Sequence, residues 1–220
     1  TVKTVNGKKP VFFGLDAKND FYAKNIKNSG DGKVLATLCF DNNNIDVEIP
    51  AIGTYMVTNA LAAAAAGKLL GLTDEEIANG VASYKTVGSR ANVINTGKIK
   101  IIDDCYNANP TSVRASLDTL SNLDGRKVAI LGDMKELGSE ELKLHFDTGV
   151  YAKSKDIGTV ITVGELAKEL AKGADGKAFD TIEDAKPEIL KTIKSGDVVL
   201  VKASHSMQFE NIVEFLKQNF

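Results

Sequence analysis

Cysteine and histidine are scarce, with two of each in the chain. Cys39 and Cys105 lie far apart and carry no C-x-x-C spacing, and the first residues show no signal-peptide pattern, so a reducing cytoplasm is the expected compartment. His145 and His205 form no H-E-x-x-H or related spacing, which argues against a histidine-rich metal site. No long apolar run exists either. The longest, near Ala60 to Leu70, is interrupted by Gly67 and Lys68 and falls short of the roughly 20 residues that cross a bilayer. No excess of one charge is present: the net charge is -2 with both signs interspersed, so neither nucleic acid nor an anionic membrane is an expected partner. Also absent is any G-x-x-x-x-G-K-[ST] loop, so nucleotide chemistry here would lack its usual phosphate cradle.

What is present belongs to a folded globular protein. Hydrophobic residues make up 43% and charged residues 25% of 220 residues, close to globular averages, and the length suits one large domain or two modest ones. Residues 1–50 read as β-rich, with strands at Val11 to Phe13, Phe21 to Ile26, Val34 to Phe40 and Ile45 to Ile49. Gly30-Asp31-Gly32 and Asn42-Asn43-Asn44 supply the turns. The pattern then becomes helical. Tyr55 to Leu70 is alanine-rich with Gly71 as a stop, and Thr73 with Glu76 forms a capping box that opens a second helix to about Tyr84. Lys85 to Arg90 reads as a hinge, which divides the chain into domains 1–87 and 88–220.

After the hinge, strands alternate with helices. The strands are Lys100 to Asp104 (with Val93 to Asn95 pairing before it), Val128 to Leu131, Thr159 to Val163, Ala178-Phe179 and Asp197 to Lys202. The helices are Pro110 to Leu123, Ser139 to Ser154, Leu166 to Lys172, Asp184 to Ile193 and Met207 to Gln218. Such alternation implies right-handed crossovers and a doubly wound, mainly parallel α/β sheet.

Polar chemistry collects at three strand ends: Ile101 to Ser112, with Asp103-Asp104-Cys105-Tyr106-Asn107-Ala108-Asn109 at its centre, Gly132-Asp133-Met134-Lys135-Glu136-Leu137-Gly138, and Lys202-Ala203-Ser204-His205-Ser206. If the strands are parallel, all three share one rim, where open α/β sheets bind ligands. Asp104 could accept from hydroxyls or hold a cation, Lys202 could pair with an anion, and Asn107 could offer both donor and acceptor. Each residue also has a purely structural reading: Asp133 as a turn or N-cap, Lys202 as an edge charge, Asn109 as the N-cap before Pro110, His145 as a satisfied histidine in a helix, and Cys105 as a buried thiol.

Asp103 to Ser112, followed by Ile130-Leu131-Gly132-Asp133-Met134-Lys135-Glu136-Leu137-Gly138 with His145 downstream, closely resembles the C-terminal domain of the Mur ligases. Val199 to Ser204 resembles that family's last strand. Asn59-Ala60-Leu61-Ala62-Ala63 resembles the helix at the end of its central domain. The resemblance implies a Rossmann-like C-terminal domain preceded by a β-rich and helical part of an ATP-binding central domain. It also implies that the chain is a fragment, without the UDP-sugar domain and the P-loop, and inactive alone. The implied reaction is ATP-dependent addition of D-alanyl-D-alanine to UDP-N-acetylmuramoyl-tripeptide through an acyl phosphate, with Mg2+ held mainly by the missing part.

Carried over by position, the resemblance places Asn59 near adenine, Arg90 at the ATP phosphates and Asp104 at the ribose hydroxyls. Tyr106, Asn107 and Asn109 line the rim, and Lys202 and Ser204 face the nucleophile. Three positions depart from the family pattern. Tyr55 stands where histidine is frequent, Ala203 where glycine is usual, and His205 where arginine is common.

Two other classes compete. A phospho-acceptor receiver would use Asp103, Asp104, Asp133 and Lys202 as an acidic pocket with its lysine, but the Asp104 to Asp133 spacing is short and the β-rich start has no place in it. A dinucleotide oxidoreductase lacks the G-x-G-x-x-G turn.

Overall fold

The computed structural model describes residue 4 and residues 7–29, 32–86 and 88–220. The chain separates into two compact units, Thr1–Lys85 and Thr86–Phe220.

In the first unit three antiparallel strands, β1 (Tyr22–Ser29), β2 (Lys33–Phe40) and β3 (Asn43–Ile49), form a meander in that order. Val47 and Ile49 of β3 are buried while Asp46 and Glu48 between them are outside, the period-two pattern of a half-buried strand. The β2–β3 turn is one residue earlier than the asparagine run suggests. Phe40 pairs with Asn43, so Asp41 and Asn42 form the two-residue loop. Both have positive φ, 47° and 63°, as a type I′ hairpin requires and as Asp and Asn tolerate. The Gly30-Asp31 part of the other expected turn lies outside the described residues. Val11 to Phe13 is not a strand. It makes one isolated bridge, Phe13 with Phe21, and Phe12 and Phe13 are half-exposed.

Helix α1 (Tyr55–Leu69) lays Val57, Leu61 and Ala64 into the core formed with Val34, Leu38 and Ile49. Its end is a Schellman motif: Gly71 N–H reaches the Lys68 carbonyl and Leu72 N–H the Gly67 carbonyl, both at 3.0 Å, with Gly71 at φ 88°. Helix α2 (Asp74–Ala82) opens with the expected Thr73–Glu76 capping box.

The second unit is a six-stranded sheet of order β4-β5-β9-β6-β7-β8. Here β4 is Asn92–Asn95, β5 Lys100–Asp103, β6 Lys127–Gly132, β7 Thr159–Val163, β8 Lys177–Phe179 and β9 Val198–Lys202. Only β4 is antiparallel to its neighbour; the rest run parallel. Helices α3 (Pro110–Ser121), α4 (Glu141–Ser154), α5 (Ala167–Ala174) and α6 (Ile182–Thr192) supply the crossovers, and α7 (Glu210–Asn219) follows the last strand. One apolar face of the sheet, including Ile101, Ile130, Ile161 and Val199, is buried with Ile189 of α6 and Ile212 and Leu216 of α7. α3 lies against β6 and β9, and α5 against β7. Helix starts differ from the sequence reading: α5 begins one residue later and α6 two residues earlier than expected, and 3-10 turns delay α4 and α7. A 3-10 turn, Gly138–Glu140, precedes α4. Another, His205–Met207, precedes α7, where Gln208 at φ 53° prevents one continuous helix.

Helices α4 and α5 touch at glycines. A Cβ on Gly149 would meet the Leu170 carbonyl, and one on Gly173 the Phe146 carbonyl. At the amino ends of the central strands, buried Asp197 takes Arg126 bidentately, Nε at 2.8 Å and Nη2 at 2.5 Å. That pair closes the edge of the sheet opposite the polar rim.

Candidate active site

β9 lies between β5 and β6, so the carboxyl ends of these three parallel strands are adjacent and their polar extensions share one rim. Asp104 leaves β5 with its N–H on the Val201 carbonyl at 3.0 Å. Its side chain turns inward and is only 9% exposed. Oδ2 accepts from Lys202 Nζ at 2.6 Å and from the Ser116 hydroxyl on α3 at 2.7 Å. Oδ1 accepts from the Ala91 N–H at 3.1 Å. A carboxylate has about four lone-pair sites; three donors here leave one, on Oδ1. Lys202 is 2% exposed. Its ammonium goes to Asp104 and, at 2.8 Å, to the Asn107 carbonyl. The expectation that Lys202 faces a nucleophile therefore meets a buried cation whose protons are taken by the protein, because burying a charge is tolerated only when it is paired.

The loop that follows is organised from the same point. Asn109 is the N-cap of α3, its side chain accepting from Ser112 N–H at 2.9 Å while Ser112 Oγ accepts from Asn109 N–H at 3.0 Å. Pro110 occupies the first turn. Asn107 Oδ1 accepts from Ala108 N–H. Both carboxamides are thus engaged locally. Tyr106 projects outward, 47% exposed, and its N–H bonds the Ser89 carbonyl at 3.0 Å. The Arg90 guanidinium lies over the Tyr106 ring, 3.8 Å from its centroid. The His205 ring stands 5.8 Å from Tyr106, tilted by 33°.

The β6 end is structural in character. Asp133 is 2% exposed, accepts from Ala167 N–H at the start of α5 at 2.8 Å and pairs with Lys135 Nζ at 2.7 Å. Ser204 Oγ accepts from Lys135 N–H at 2.9 Å. His145 is fully buried. Its Nε2 accepts from Met134 N–H at 2.9 Å, so Nδ1, 2.7 Å from the Glu141 carbonyl, carries the proton. This is a satisfied helix histidine that ties α4 to the loop after β6. Burial, and then the neighbouring Asp103 carboxylate, push the Cys105 thiol well above the usual thiol range; it is an inert core residue. Asp103 Oδ1 is buried without a hydrogen-bond partner among the described residues.

Asn59 belongs to the first unit. It is half-buried on α1, its amide 3.4 Å from Met56 Sδ. There it lines an apolar cavity of about 330 Å³ together with Ile49, Ala60, Ile77 and Tyr84. No group of three or more His, Cys, Asp or Glu side chains that could hold a metal occurs among the described residues.

Sequence reasoning missed Ser116 and the Ala91 N–H as partners of Asp104. Ala91 carries no side-chain signal at all. Ser116 has a faint one, since it follows Ser112 by one helical turn and so shares the face of α3 that begins at the rim.

A doubly wound sheet with a buried lysine–carboxylate pair at adjacent strand ends, and an exposed arginine beside it, defines an α/β protein whose polar groups gather at the strand ends, where such sheets bind ligands. The family described as "Mur ligase, glutamate ligase domain" matches residues 89–205, and that described as "Mur ligase middle domain" matches residues 2–67. The chain belongs to the Mur ligase family. It is 34% identical over 215 residues to the UDP-N-acetylmuramoyl-tripeptide--D-alanyl-D-alanine ligase of Bacillus subtilis, covering 93% of this chain and 46% of that protein. With the ligase of the same name from Escherichia coli it is 33% identical over 207 residues, covering 92% and 46%. Among solved structures, MurF from Acinetobacter baumannii superposes with a TM-score of 0.89 at 30% identity, over 96% of this chain and 47% of that one. MurF from Thermotoga maritima in complex with ADP gives 0.85 at 26%, over 96% and 49%. The chain spans about half the length of the curated relatives it matches. Family membership displaces the receiver and oxidoreductase readings.

Proposed function

We propose that this chain is part of an ATP-dependent ligase that joins D-alanyl-D-alanine to UDP-N-acetylmuramoyl-tripeptide in peptidoglycan precursor synthesis, and that it acts in the cytoplasm. The observation that carries this is the alignment of nearly the whole chain, 93% and 92% of it, with two ligases of that name. In such a reaction the tripeptide carboxylate takes the terminal phosphoryl group of ATP to give an acyl phosphate and ADP. The dipeptide amine then displaces phosphate to form the amide.

Residues 1–87 are proposed as the end of the ATP-binding domain and residues 88–220 as the domain that follows it. Asn59 is proposed for the adenine. Asp104 suits the ribose, since Lys202 and Ser116 fix its Oδ2 and Oδ1 keeps one open acceptor site. Arg90 suits the phosphates: no carboxylate pairs with it among the described residues, and a guanidinium fork matches phosphate geometry and stabilises charge as it develops. Asn107 and Asn109 are proposed to line the rim, and Ser204 the nucleophile side. Lys202 acts from beneath, fixing Asp104 and the Asn107 carbonyl. A divalent cation such as Mg2+ would supply charge neutralisation at the phosphates, and no residue of this chain is assigned to it. The physical reading also favours no nucleic-acid or membrane partner, and no helix among the described residues is long and apolar enough to cross a membrane.

The test is to graft this chain onto the Bacillus subtilis ligase in place of the segment it matches, and to follow amide formation from ATP, tripeptide substrate and D-alanyl-D-alanine. ATP-dependent product that disappears with Arg90→Ala is expected. A folded graft that turns over ATP without forming the amide would sink the reading.

A further inference from the structure

Arg90 is held by more than its own rotamer. The segment that carries it begins with a tight turn, Arg90 N–H on the Gly88 carbonyl at 3.0 Å with Gly88 at φ 65°. It is joined to the β5–α3 loop on both sides of the arginine. Before it, the Ser89 carbonyl accepts from Tyr106 N–H at 3.0 Å. After it, Ala91 N–H reaches Asp104 Oδ1 at 3.1 Å, with Ala91 itself in the left-handed region at φ 53°. The two backbones therefore arrive in one register, and that register sets the Tyr106 ring under the guanidinium at 3.8 Å.

A planar guanidinium lying on an aromatic face is restrained in tilt and position, while its five N–H donors radiate from the edge that the ring leaves open. No acidic side chain takes those donors among the described residues. The Tyr106 hydroxyl likewise meets no described hydrogen-bond partner, and the ring is 47% exposed, so its place owes nothing to core packing. What the tyrosine offers to the site is its face, and the arginine occupies that face.

We infer that Tyr106 is a positioning residue: its ring holds the Arg90 guanidinium edge-outward for a polyphosphate anion, and its hydroxyl is dispensable. This rests on the proposed phosphate role of Arg90 and deepens it, because it moves Tyr106 from contacting a substrate to orienting the group that does. Part of the arginine's rotamer freedom is then given up before the anion arrives, which is how a pre-organised side chain gains affinity without a new contact.

The experiment follows the Arg90 Nε–Hε signal of the 220-residue chain by NMR during titration with inorganic tripolyphosphate, in wild type, Tyr106→Phe, Tyr106→Ala and Arg90→Ala, the last identifying the signal. Tyr106 is half-exposed, so both of its variants keep the fold. In wild type and Tyr106→Phe the signal is expected to move with the same midpoint to within a factor of about two. In Tyr106→Ala the midpoint rises roughly two- to fivefold, the size that an exposed cation–aromatic contact carries. An alanine variant that titrates like wild type overturns the positioning role and leaves the phosphate role of Arg90 intact. A phenylalanine variant as weak as alanine overturns it in favour of a ligand contact by the hydroxyl. An Arg90 signal that tripolyphosphate does not move in wild type overturns the phosphate role, and the positioning role with it.

Discussion

Among single residues, the buried ammonium of Lys202 has the most to lose. It is 2% exposed and bonded to Asp104 at 2.6 Å, and removing one member of a buried pair leaves the other uncompensated. Lys202→Met is predicted to destabilise the second unit by about 3–5 kcal/mol, read as a fall in the urea midpoint. Adding Asp104→Asn is predicted to cost less than the sum of the two single changes, because the charge left behind has been removed. A Lys202→Met chain within about 0.5 kcal/mol of wild type, the range of ordinary surface changes, would contradict the pairing. A second prediction concerns Cys105. With its thiol pushed up by burial and by Asp103, it should resist iodoacetamide at neutral pH in the native chain and react once urea unfolds it. Native alkylation as fast as that of a small free thiol would refute the inert reading. Asp104 was legible from sequence because polar residues that close an apolar run must sit at a strand end. Its partner was not, since Lys202 lies 98 residues away and nothing local says which strand lies beside which.

Among the elements, the helix ends were the most legible, since a cap is a contact between residues three apart and needs no tertiary knowledge. Thr73 caps α2 with Glu76, and Asn109 caps α3 ahead of Pro110 through Ser112. The Glu76 carboxyl is held below its ordinary value of 4.5, first by the Thr73 N–H and then by the Thr73 hydroxyl. A carboxyl depressed in the folded state stabilises above its unfolded value and loses that contribution as pH falls through its folded value. Glu76→Gln should therefore lower the urea midpoint at pH 7, with the difference from wild type shrinking to nothing as the pH is taken below the carboxyl's folded value. A difference that stays constant across that range would show that the carboxyl charge is not involved. The α4–α5 contact was illegible by contrast, because a glycine in a helix reads as a weak helix former until its neighbour is known. Gly149→Ala should destabilise by about 1–3 kcal/mol despite the higher helix propensity of alanine, since its Cβ would meet the Leu170 carbonyl. A stabilised variant on thermal unfolding would mean that the two helices can separate without cost.

For the whole molecule, the alternation of strands and helices after residue 90 carried the fold class, while the strand order did not follow from it. Parallel strands are buried on both faces and read as uniform apolar runs. Val128 to Leu131 and Val198 to Val201 therefore look alike, and the insertion of the last strand between β5 and β6 has no signature in the sequence. That insertion gathers the three polar strand ends into one rim. The first unit shows the converse limit: Val11 to Phe13 has strand composition but meets its neighbour only around Phe21, and composition alone does not lengthen that pairing. The central claim is that this Mur ligase segment carries nucleotide-binding residues on it, with Arg90 and Asp104 at the strand ends and Asn59 on α1. Titrating the chain with ADP while following backbone amides by NMR tests it most directly. The account predicts saturable shifts at Arg90, Ala91, Asp104 and Asn59 that weaken with Asp104→Asn and Arg90→Ala. Amides at these four positions that stay still at every attainable ADP concentration would contradict it.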